Sequence, residues 1–231
     1  MNRQSSQSRR HPVLVVLLVV LTMFALLGLS FRVILLPPVT TTIAQNTVNS
    51  SLSVVSHDQL VKVAEMGRAF VAGDKGAQLP VGSDPTRAYP PDVVSHMQDV
   101  QKVIHGAFIV TLALLGLLLL TLILAGIRGG ARTVYTGLAF GGVMAVVMVA
   151  ALAVVGFLSF DSLFTGLHKL LFTDGTWTFA EDSLLICAYP LPFWIGMGLA
   201  WGVAHLVLSL VVSVGGFMLR GRNRRRAQAA G

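Results

Sequence analysis

His96 and His168 are the side chains through which this sequence could transfer a proton at a membrane surface. An imidazole gains and loses a proton near neutral pH, so it commonly serves as a general acid or base. His96 lies in Ser-His-Met-Gln-Asp-Val at 95–100, and His168 lies in Phe-Asp-Ser-Leu-Phe-Thr-Gly-Leu-His-Lys-Leu-Leu-Phe at 160–172. Both segments adjoin long apolar stretches, which indicates chemistry on a lipid-linked substrate at the lipid–water boundary.

Asp99 follows His96 by three residues, so on a helix the two side chains share one face. A carboxylate at this spacing can hold one imidazole nitrogen and raise the basicity of the other. The alternative is an ordinary solvated helix start. A metal site built from His96, Asp99 and His168 is chemically allowed, but no second His or Cys lies at ligand spacing. We therefore predict no metal and no cofactor.

The segment around His168 predicts a short amphipathic helix. Its apolar face is formed by Leu163, Phe164, Leu167, Leu170 and Leu171. Its polar side is formed by Asp161, Thr165 and Lys169. His168 projects from the edge of the apolar face. Such a helix tends to lie in the plane of the membrane interface, and Trp177 suits the same layer. The alternative is that His168 only marks the polar boundary of a surface helix.

The composition is that of an integral membrane protein, since 54% of the residues are hydrophobic. A helix needs about 20 apolar residues to cross a bilayer. Four stretches qualify, at about 12–36, 104–127, 133–159 and 191–219. We predict an all-α membrane protein with four transmembrane helices in a single domain, 1–231. Its outer loops are 37–103 and 160–190, and 220–231 is a cytoplasmic tail.

The distribution of charge predicts the orientation. Ten basic residues occupy three segments without any acidic residue: Arg3, Arg9, Arg10, Arg128, Arg132, Arg220, Arg222, Arg224, Arg225 and Arg226. All ten acidic residues lie in the other two loops. The positive-inside rule therefore places both termini and 128–132 in the cytoplasm and both histidines on the outer face. Because topology accounts for the arginines, we predict no nucleic-acid partner.

The first outer loop carries further signals of local structure. It opens with Pro-Pro-Val-Thr-Thr-Thr at 37–42, which we predict to be extended. Residues 56–72 predict an amphipathic helix that ends at Gly73. A further helix, capped by Asp92, is predicted to run into the second span. The loop is too short to bury much of a core alone, so we expect it to pack on the membrane surface or on the second loop.

Three polar residues near or within the spans have two interpretations each. Arg32, at the outer end of the first span, can extend to lipid phosphates or hold a substrate phosphate or carbonyl. His205 lies inside the fourth span, where a bond to a neighbouring helix is favoured over a functional role. Cys187 is the single cysteine, which excludes an internal disulfide, and it is expected to be a small buried side chain rather than a catalytic thiol.

The two histidine segments together resemble a known family. The match rests on His-Met-Gln-Asp-Val at 96–100 and on the segment at 160–172, and it continues through Trp177-Thr-Phe, Asp182-Ser-Leu-Leu and Pro190-Leu-Pro-Phe-Trp194. These segments resemble the small four-span bacterial proteins that include the lipoprotein intramolecular transacylases (Lit). The match covers roughly 95–200, and the first 90 residues agree only in layout.

The resemblance implies an acyltransferase of the bacterial cytoplasmic membrane that acts on diacylated lipoproteins, and we expect a monomer. In that family, the sn-2 acyl chain of a diacylglyceryl-cysteine moves to the α-amine of the same cysteine, which gives the lyso-form N-acyl lipoprotein. Two outward-facing histidines are implicated, and by motif they correspond to His96 and His168. The family usually has Phe directly before the second histidine, where this chain has Leu167.

These expectations assign a role to each candidate residue. His168 is taken as the general base, and His96, oriented by Asp99, as the group that polarises the carbonyl, although the roles could be reversed. Asp161, Lys169 and Trp177 are supporting residues, and Arg32 and Phe164 are expected to bind substrate. A lipid ester hydrolase that uses the same histidines and a non-enzymatic lipid- or protein-binding module remain the alternatives, with a transporter a more distant one.

Overall fold

The computed structural model describes residues 11–229, so Arg3, Arg9 and Arg10 of the charge pattern lie outside the described residues. Within this range the chain forms the helices α1 Pro12–Ile34, α2 Pro37–Thr47, α3 His57–Ala72, α4 Pro91–Leu158, α5 Phe160–Leu171, α6 Leu184–Ala188 and α7 Leu191–Ala229. One isolated β-bridge joins Val81 and Tyr89. The predicted all-α class is confirmed.

Three helices of the described chain are long and apolar enough to cross a membrane: Pro12–Ile34, Pro91–Leu158 and Leu191–Arg226. The second and third predicted spans both lie in α4. Gly130 interrupts α4 with φ 68° and ψ 176°, a conformation that glycine adopts readily because it has no Cβ. The break falls inside the predicted loop 128–132, and we call the two parts α4a (91–129) and α4b (131–158).

The chain forms two compact units. The first unit comprises the described residues of Met1–Ser30, Val110–Ala151 and His205–Gly231. Within it, α1 and α4b approach closely, since a Cβ at Gly137 would collide with Leu18 and a Cβ at Gly141 with Thr22. Residue numbers at the contacts increase in the same direction along both helices, so α1 and α4b are parallel.

In the first unit α7 packs against α4b in the opposite direction. A Cβ at Gly142 would lie 2.7 Å from the Ser209 carbonyl oxygen and from the Ser213 amide nitrogen. Ser213 Oγ donates to the Ala139 carbonyl at 3.1 Å. Residue numbers at these contacts decrease along α4b as they increase along α7, so the two helices are antiparallel. Small residues at the contacts allow this close approach.

His205 joins helices inside the first unit. Its side chain is fully buried. Its Nε2 lies 3.2 Å from the Ala145 carbonyl of α4b, which can only accept, so Nε2 carries the hydrogen. Its Nδ1 lies 3.0 Å from Ser30 Oγ of α1. The expectation that His205 bonds to neighbouring helices is therefore confirmed.

The second unit comprises Phe31–Ile109 and Leu152–Ala204. Its α3 has the predicted limits. Ser56 and Gln59 form a capping box at its start, and Gly73, at φ 77°, ends it in the left-handed conformation. The predicted core-facing stripe is buried, and its members are Leu60, Val63, Ala64, Gly67 and Val71.

The prediction for 37–42 is wrong, since these residues begin helix α2, Pro37–Thr47. Pro37 and Pro38 occupy the first two helical positions. Backbone N–H groups there have no partner within a helix, so proline costs nothing at the start and its fixed φ favours the helical conformation. A proline favours an extended conformation in the residue before it. Here that residue is Leu36, with φ −68° and ψ 137°.

The two predicted outer loops share one core. Its members come from both segments and include Leu60, Tyr89, Leu184 and Cys187, and Phe193 of α7 packs in the same core. Hydrogen bonds also link the loops, from Tyr189 Oη to the Ala64 carbonyl at 2.7 Å and from the Leu184 amide to the Pro85 carbonyl at 2.8 Å. Of the two predicted packing partners of the first loop, the second loop is therefore observed. Cys187 is buried, as expected, and burial raises the pKa of its thiol.

Arg68 is a buried cation in the second unit, with 6% of its surface exposed. Its Nε donates to Glu65 at 2.7 Å and its terminal nitrogens to Asp74 at 2.6 Å and to the Leu35 carbonyl at 3.2 Å. A buried charge is tolerated only where it is paired and hydrogen-bonded. Arg68 thereby ties α3 to the residue that follows α1 and to the turn that follows α3.

Candidate active site

His96 belongs to the first turns of α4, which begins at Pro91, one residue before the predicted start. The prediction that Asp92 caps this helix is wrong, since the N-cap is Pro90 and no side chain caps it. Val93 and Met97 lie on the same helix face and are 2% and 5% exposed in the core. His96 shares this face and is 8% exposed. The helical spacing therefore turns the imidazole towards the protein core and away from solvent.

His168 is fixed by its own helix. Its Nδ1 lies 2.8 Å from the Phe164 carbonyl one turn earlier in α5. A carbonyl can only accept, so Nδ1 is the donor. In the neutral imidazole, Nε2 then carries the free lone pair. The Phe164 ring lies 4.0 Å from the imidazole, centroid to centroid. Backbone and ring together hold His168 with its basic nitrogen fixed as Nε2.

The two histidines meet in the second unit. Their ring centroids are 6.5 Å apart and their planes are inclined by 22°. Phe172 contacts both rings, at 5.0 Å from His96 and 5.5 Å from His168. Phe179 lies 5.4 Å from His96. Two proton-transfer groups are thus held together in an aromatic enclosure.

Two nitrogen atoms in this enclosure have no hydrogen-bond partner among the described residues. One is Nδ1 of His96 and the other is Nε1 of Trp177, and both atoms are buried. The Trp177 ring lies 5.1 Å from the His168 ring. Most buried polar groups in proteins are paired, so orphaned ones at a site of this chemistry are candidates to contact a substrate.

The electrostatics of the site keep His96 neutral. Burial and, to a lesser extent, the charge of His168 lower its pKa from 6.5 to about 4. Asp99 acts in the opposite direction but does not offset burial. A neutral imidazole can still donate an N–H to a developing negative charge, as the neutral histidine of triosephosphate isomerase does.

Asp99 is not placed as the spacing suggests. Its Oδ1 accepts from Lys102 Nζ at 2.8 Å, while Nδ1 of His96 has no partner. The expected hydrogen bond from this nitrogen to the Asp99 carboxylate is therefore not formed. Asp99 lies three residues after His96 and three residues before Lys102, so both side chains are within its reach on the helix. A full positive charge attracts the carboxylate more strongly than a neutral imidazole does.

The other candidate residues lie as follows. Asp161 and Lys169 are exposed, in the first and last turns of α5, where their charges complement the helix dipole. Arg32 is exposed, with its guanidinium 4.0 Å from the centroid of the Phe108 ring. Phe164 contacts Trp194 at 5.7 Å in addition to His168. No cluster of three metal-ligating side chains occurs in 11–229.

Phe172 and Phe179 are site residues that the sequence did not identify. Phe172 follows His168 by four residues, as His168 follows Phe164, so the helical repeat contained the necessary signal. Phe179 lies outside the helices, between α5 and α6. No periodicity applies there, and only the folded chain brings its ring to His96.

Comparisons with known proteins bear on the family and the fold of this chain. The family model described as "Lipoprotein intramolecular transacylase Lit" matches residues 15–194, well over half of the chain. No curated protein sequence matches the chain. The fold is similar to the solved structure of the membrane integral lipoprotein intramolecular transacylase Lit from Bacillus cereus. The TM-score is 0.73 at 15% identity, over 93% of this chain and 97% of that one.

Two variants of the same Bacillus cereus protein, in which a histidine is replaced by arginine or by alanine, are also similar in structure. Their TM-scores are 0.69 and 0.65 at 16% identity, over 93% of this chain and 94% and 95% of theirs. At these identities the structures show the fold alone, whereas the family match extends over most of the sequence. The chain belongs to the lipoprotein intramolecular transacylase (Lit) family, and the protein is an acyltransferase of lipoprotein modification.

Proposed function

We propose that this enzyme moves the sn-2 acyl chain of a diacylglyceryl-cysteine lipoprotein to the α-amine of the same cysteine. The observation that carries the proposal is the pairing of His96 and His168, two imidazoles with centroids 6.5 Å apart in an aromatic enclosure. Family membership supports the class of reaction. The geometry supports the two histidines as the groups that carry it out.

His168 is the general base of the proposed reaction. An N-terminal amine has a pKa of about 8 and is mostly protonated at neutral pH, so its lone pair must be freed before attack. Nδ1 of His168 is committed to the Phe164 carbonyl, which leaves Nε2 to accept the amine proton. The amine nitrogen then bonds to the ester carbonyl carbon, and the carbonyl oxygen becomes negative.

His96 stabilises that negative oxygen by donating an N–H while it remains neutral. The tetrahedral intermediate collapses as the bond between the carbonyl carbon and the sn-2 oxygen breaks. His168 returns its proton to this oxygen, so the products are an amide and a free sn-2 hydroxyl. The nitrogen loses its second proton to water as the amide forms, so atoms and charges balance without a co-reactant. Amine and ester belong to one molecule, so correct positioning supplies much of the rate enhancement.

The membrane placement is also part of the proposal. No side chain of α5 is buried, and Leu163, Leu167 and Leu170 are 40%, 50% and 80% exposed. An apolar helix face that the protein leaves uncovered suits the lipid interface. Phe164 and Arg32 would then contact the acyl chain and a lipid phosphate. Asp161 and Lys169 support α5 through its dipole.

We propose four membrane crossings, with α4a and α4b as separate spans. The break at Gly130 and the parallel packing of α1 with α4b support this arrangement. By the positive-inside rule, the basic residues beside the break support a position for it on the cytoplasmic side of a bacterial membrane, with the histidines on the outer face. A monomer contains both histidines, so the proposed site needs no second copy.

The test is to map the acyl groups of a diacylated reporter lipopeptide by mass spectrometry, with and without the enzyme in a bacterial membrane. Transfer keeps two acyl chains and places one on nitrogen. Loss of a chain would show a lipid ester hydrolase, and an unchanged lipopeptide would show a binding module. Either of these two results would overturn the proposal.

A further inference from the structure

Trp177 carries an N–H group whose environment is unusual for this chain. Its Nε1 is buried and has no hydrogen-bond partner among the described residues. Its ring lies 5.1 Å from His168. Indole N–H groups usually find a partner when buried. The comparison within this protein is Trp194, whose Nε1 donates to the Tyr189 carbonyl at 3.0 Å.

The chemistry of indole narrows what this group can do. The indole nitrogen donates a hydrogen bond but does not accept one, and it does not ionise at neutral pH. It is therefore unsuited to acid–base catalysis and suited to an oxygen that gains negative charge. Acyl transfer creates such an oxygen, and preorganised donors in a water-poor site stabilise it strongly.

We propose that Trp177 Nε1–H is a second oxyanion donor, which binds the substrate's carbonyl oxygen alongside His96. This inference rests on the proposed acyl transfer and adds a catalytic residue to it. Trp177 donates to the oxygen as the tetrahedral intermediate forms and keeps its own proton throughout. The aromatic neighbours exclude water, so the oxygen has few competing donors.

The test replaces Trp177 in the full-length enzyme with 3-benzothienylalanine, which keeps the fused ring and exchanges N–H for sulfur. We expect kcat for acyl transfer to fall about 10²- to 10³-fold, with KM and Tm unchanged. The same replacement at Trp194 is the matched control, and it should alter kcat little. Trp177→Phe should reproduce the loss in kcat.

A kcat within about threefold of the unmodified enzyme would overturn the role of Trp177, since a lost oxyanion donor costs far more. An equal loss at Trp194 would also overturn it, because that N–H already has a partner. Failure of the proposed function looks different, since the unmodified enzyme itself would then transfer no acyl chain.

A separate observation concerns the basic end of α7 in the first unit. Tyr135, Leu219, Arg222, Asn223 and Arg226 line a cavity of about 150 Å³. Arg222 and Arg226 are one helical turn apart, where like charges repel. The three sequence ranges of the first unit contain no Asp or Glu. No acidic side chain of this unit therefore compensates the charge of these two guanidinium groups.

The lining of this cavity matches a phosphate group. Two guanidinium groups, a phenol and an amide supply N–H and O–H donors in one place, and guanidinium binds phosphate through paired donors. Leu219 adds an apolar wall, and α7 is one of the helices apolar enough to cross a membrane. From these features we infer a site for the phosphate of an anionic phospholipid.

The test measures Tm of the purified full chain in neutral detergent after addition of phosphatidylglycerol, phosphatidylcholine or inorganic phosphate. Phosphatidylglycerol should raise Tm by about 2–4 °C, and phosphatidylcholine should not. The double variant Arg222→Gln/Arg226→Gln should lose the shift, whereas Arg224→Gln/Arg225→Gln, the same charge change in the same tail, should keep it.

Equal loss in both double variants would overturn the site, because it would show a response to net charge alone. An equal rise with inorganic phosphate would overturn the assignment to lipid. If phosphatidylglycerol does not raise the Tm of the unmodified protein, both the site and its assignment to lipid are overturned.

Discussion

The imidazole rings of His96 and His168 lie nearly parallel, with centroids 6.5 Å apart, although one belongs to α4 and the other to α5. The separation exceeds that of two rings in hydrogen-bond contact, yet one ester group and its attacking amine can reach both. Phe172 touches both rings and fixes their spacing. The pair therefore forms one site with two distinct environments, a buried imidazole and a backbone-tethered one.

Asp99→Asn should alter the rate of acyl transfer less than about fivefold, because this carboxylate is paired with exposed Lys102 and such pairs contribute little. His96→Leu should lower the rate about 10²- to 10³-fold, as expected for a lost oxyanion donor. Initial rates with a diacylated lipopeptide measure both effects. Equal losses in the two variants would instead support Asp99 as the partner that orients His96.

The stability of the protein should depend on pH through His96. Its pKa is about 4 in the folded chain and near 6.5 when unfolded. Between these values the unfolded state binds the extra proton, so stability rises with pH across the window and is lost as pH falls towards 4. The contribution lost is on the order of 3 kcal/mol.

The measurement is Tm in detergent from pH 7 to pH 4 for the wild type and for His96→Leu. The difference between the two profiles should change across this window, because only the wild type carries the buried imidazole. His57→Leu, at the exposed start of α3, provides the control. Parallel profiles for wild type and His96→Leu would show that His96 is not held neutral by burial.

Arg68→Met should lower the free energy of unfolding by about 2–3 kcal/mol. Breaking a buried ion pair typically costs somewhat more, but Glu65 and Asp74 are 32% and 48% exposed and can be hydrated. Thermal unfolding measures the loss. Arg87→Met is the matched control, since Arg87 pairs with Asp84 at the exposed surface and should be nearly neutral. Similar effects of the two changes would mean that Arg68 does not tie the second unit together.

The limits and buried stripe of α3 could be predicted from sequence because every signal was local. Ser56, Gln59 and Gly73 mark the ends, and the apolar period marks the face. The short helix around His168 could be predicted for the same reason, because its apolar period is also local. Helix α2 was missed because two prolines indicate extended chain in most settings, and only the first turn of a helix accepts both.

The remaining differences depend on tertiary contacts or on competition between equivalent partners. Asp99 has His96 three residues before it and Lys102 three residues after it, and spacing alone does not choose between them. Phe179 reaches His96 only through the packing of the two outer loops. The orphaned nitrogen atoms of His96 and Trp177 are properties of the folded site and have no signature in a pattern of residue types.

His168→Asn separates the two proposed functions of the imidazole, the hydrogen bond from Nδ1 and the acceptance of the cysteine amine proton by Nε2. The asparagine amide can replace Nδ1 as donor to the Phe164 carbonyl, while the basic nitrogen is lost. Mass-spectrometric rates of acyl transfer should fall about 10²- to 10⁴-fold, with Tm unchanged and His57→Asn as active as the wild type. Transfer by His168→Asn at the wild-type rate would show that Nε2 of His168 is not the base that frees the cysteine amine.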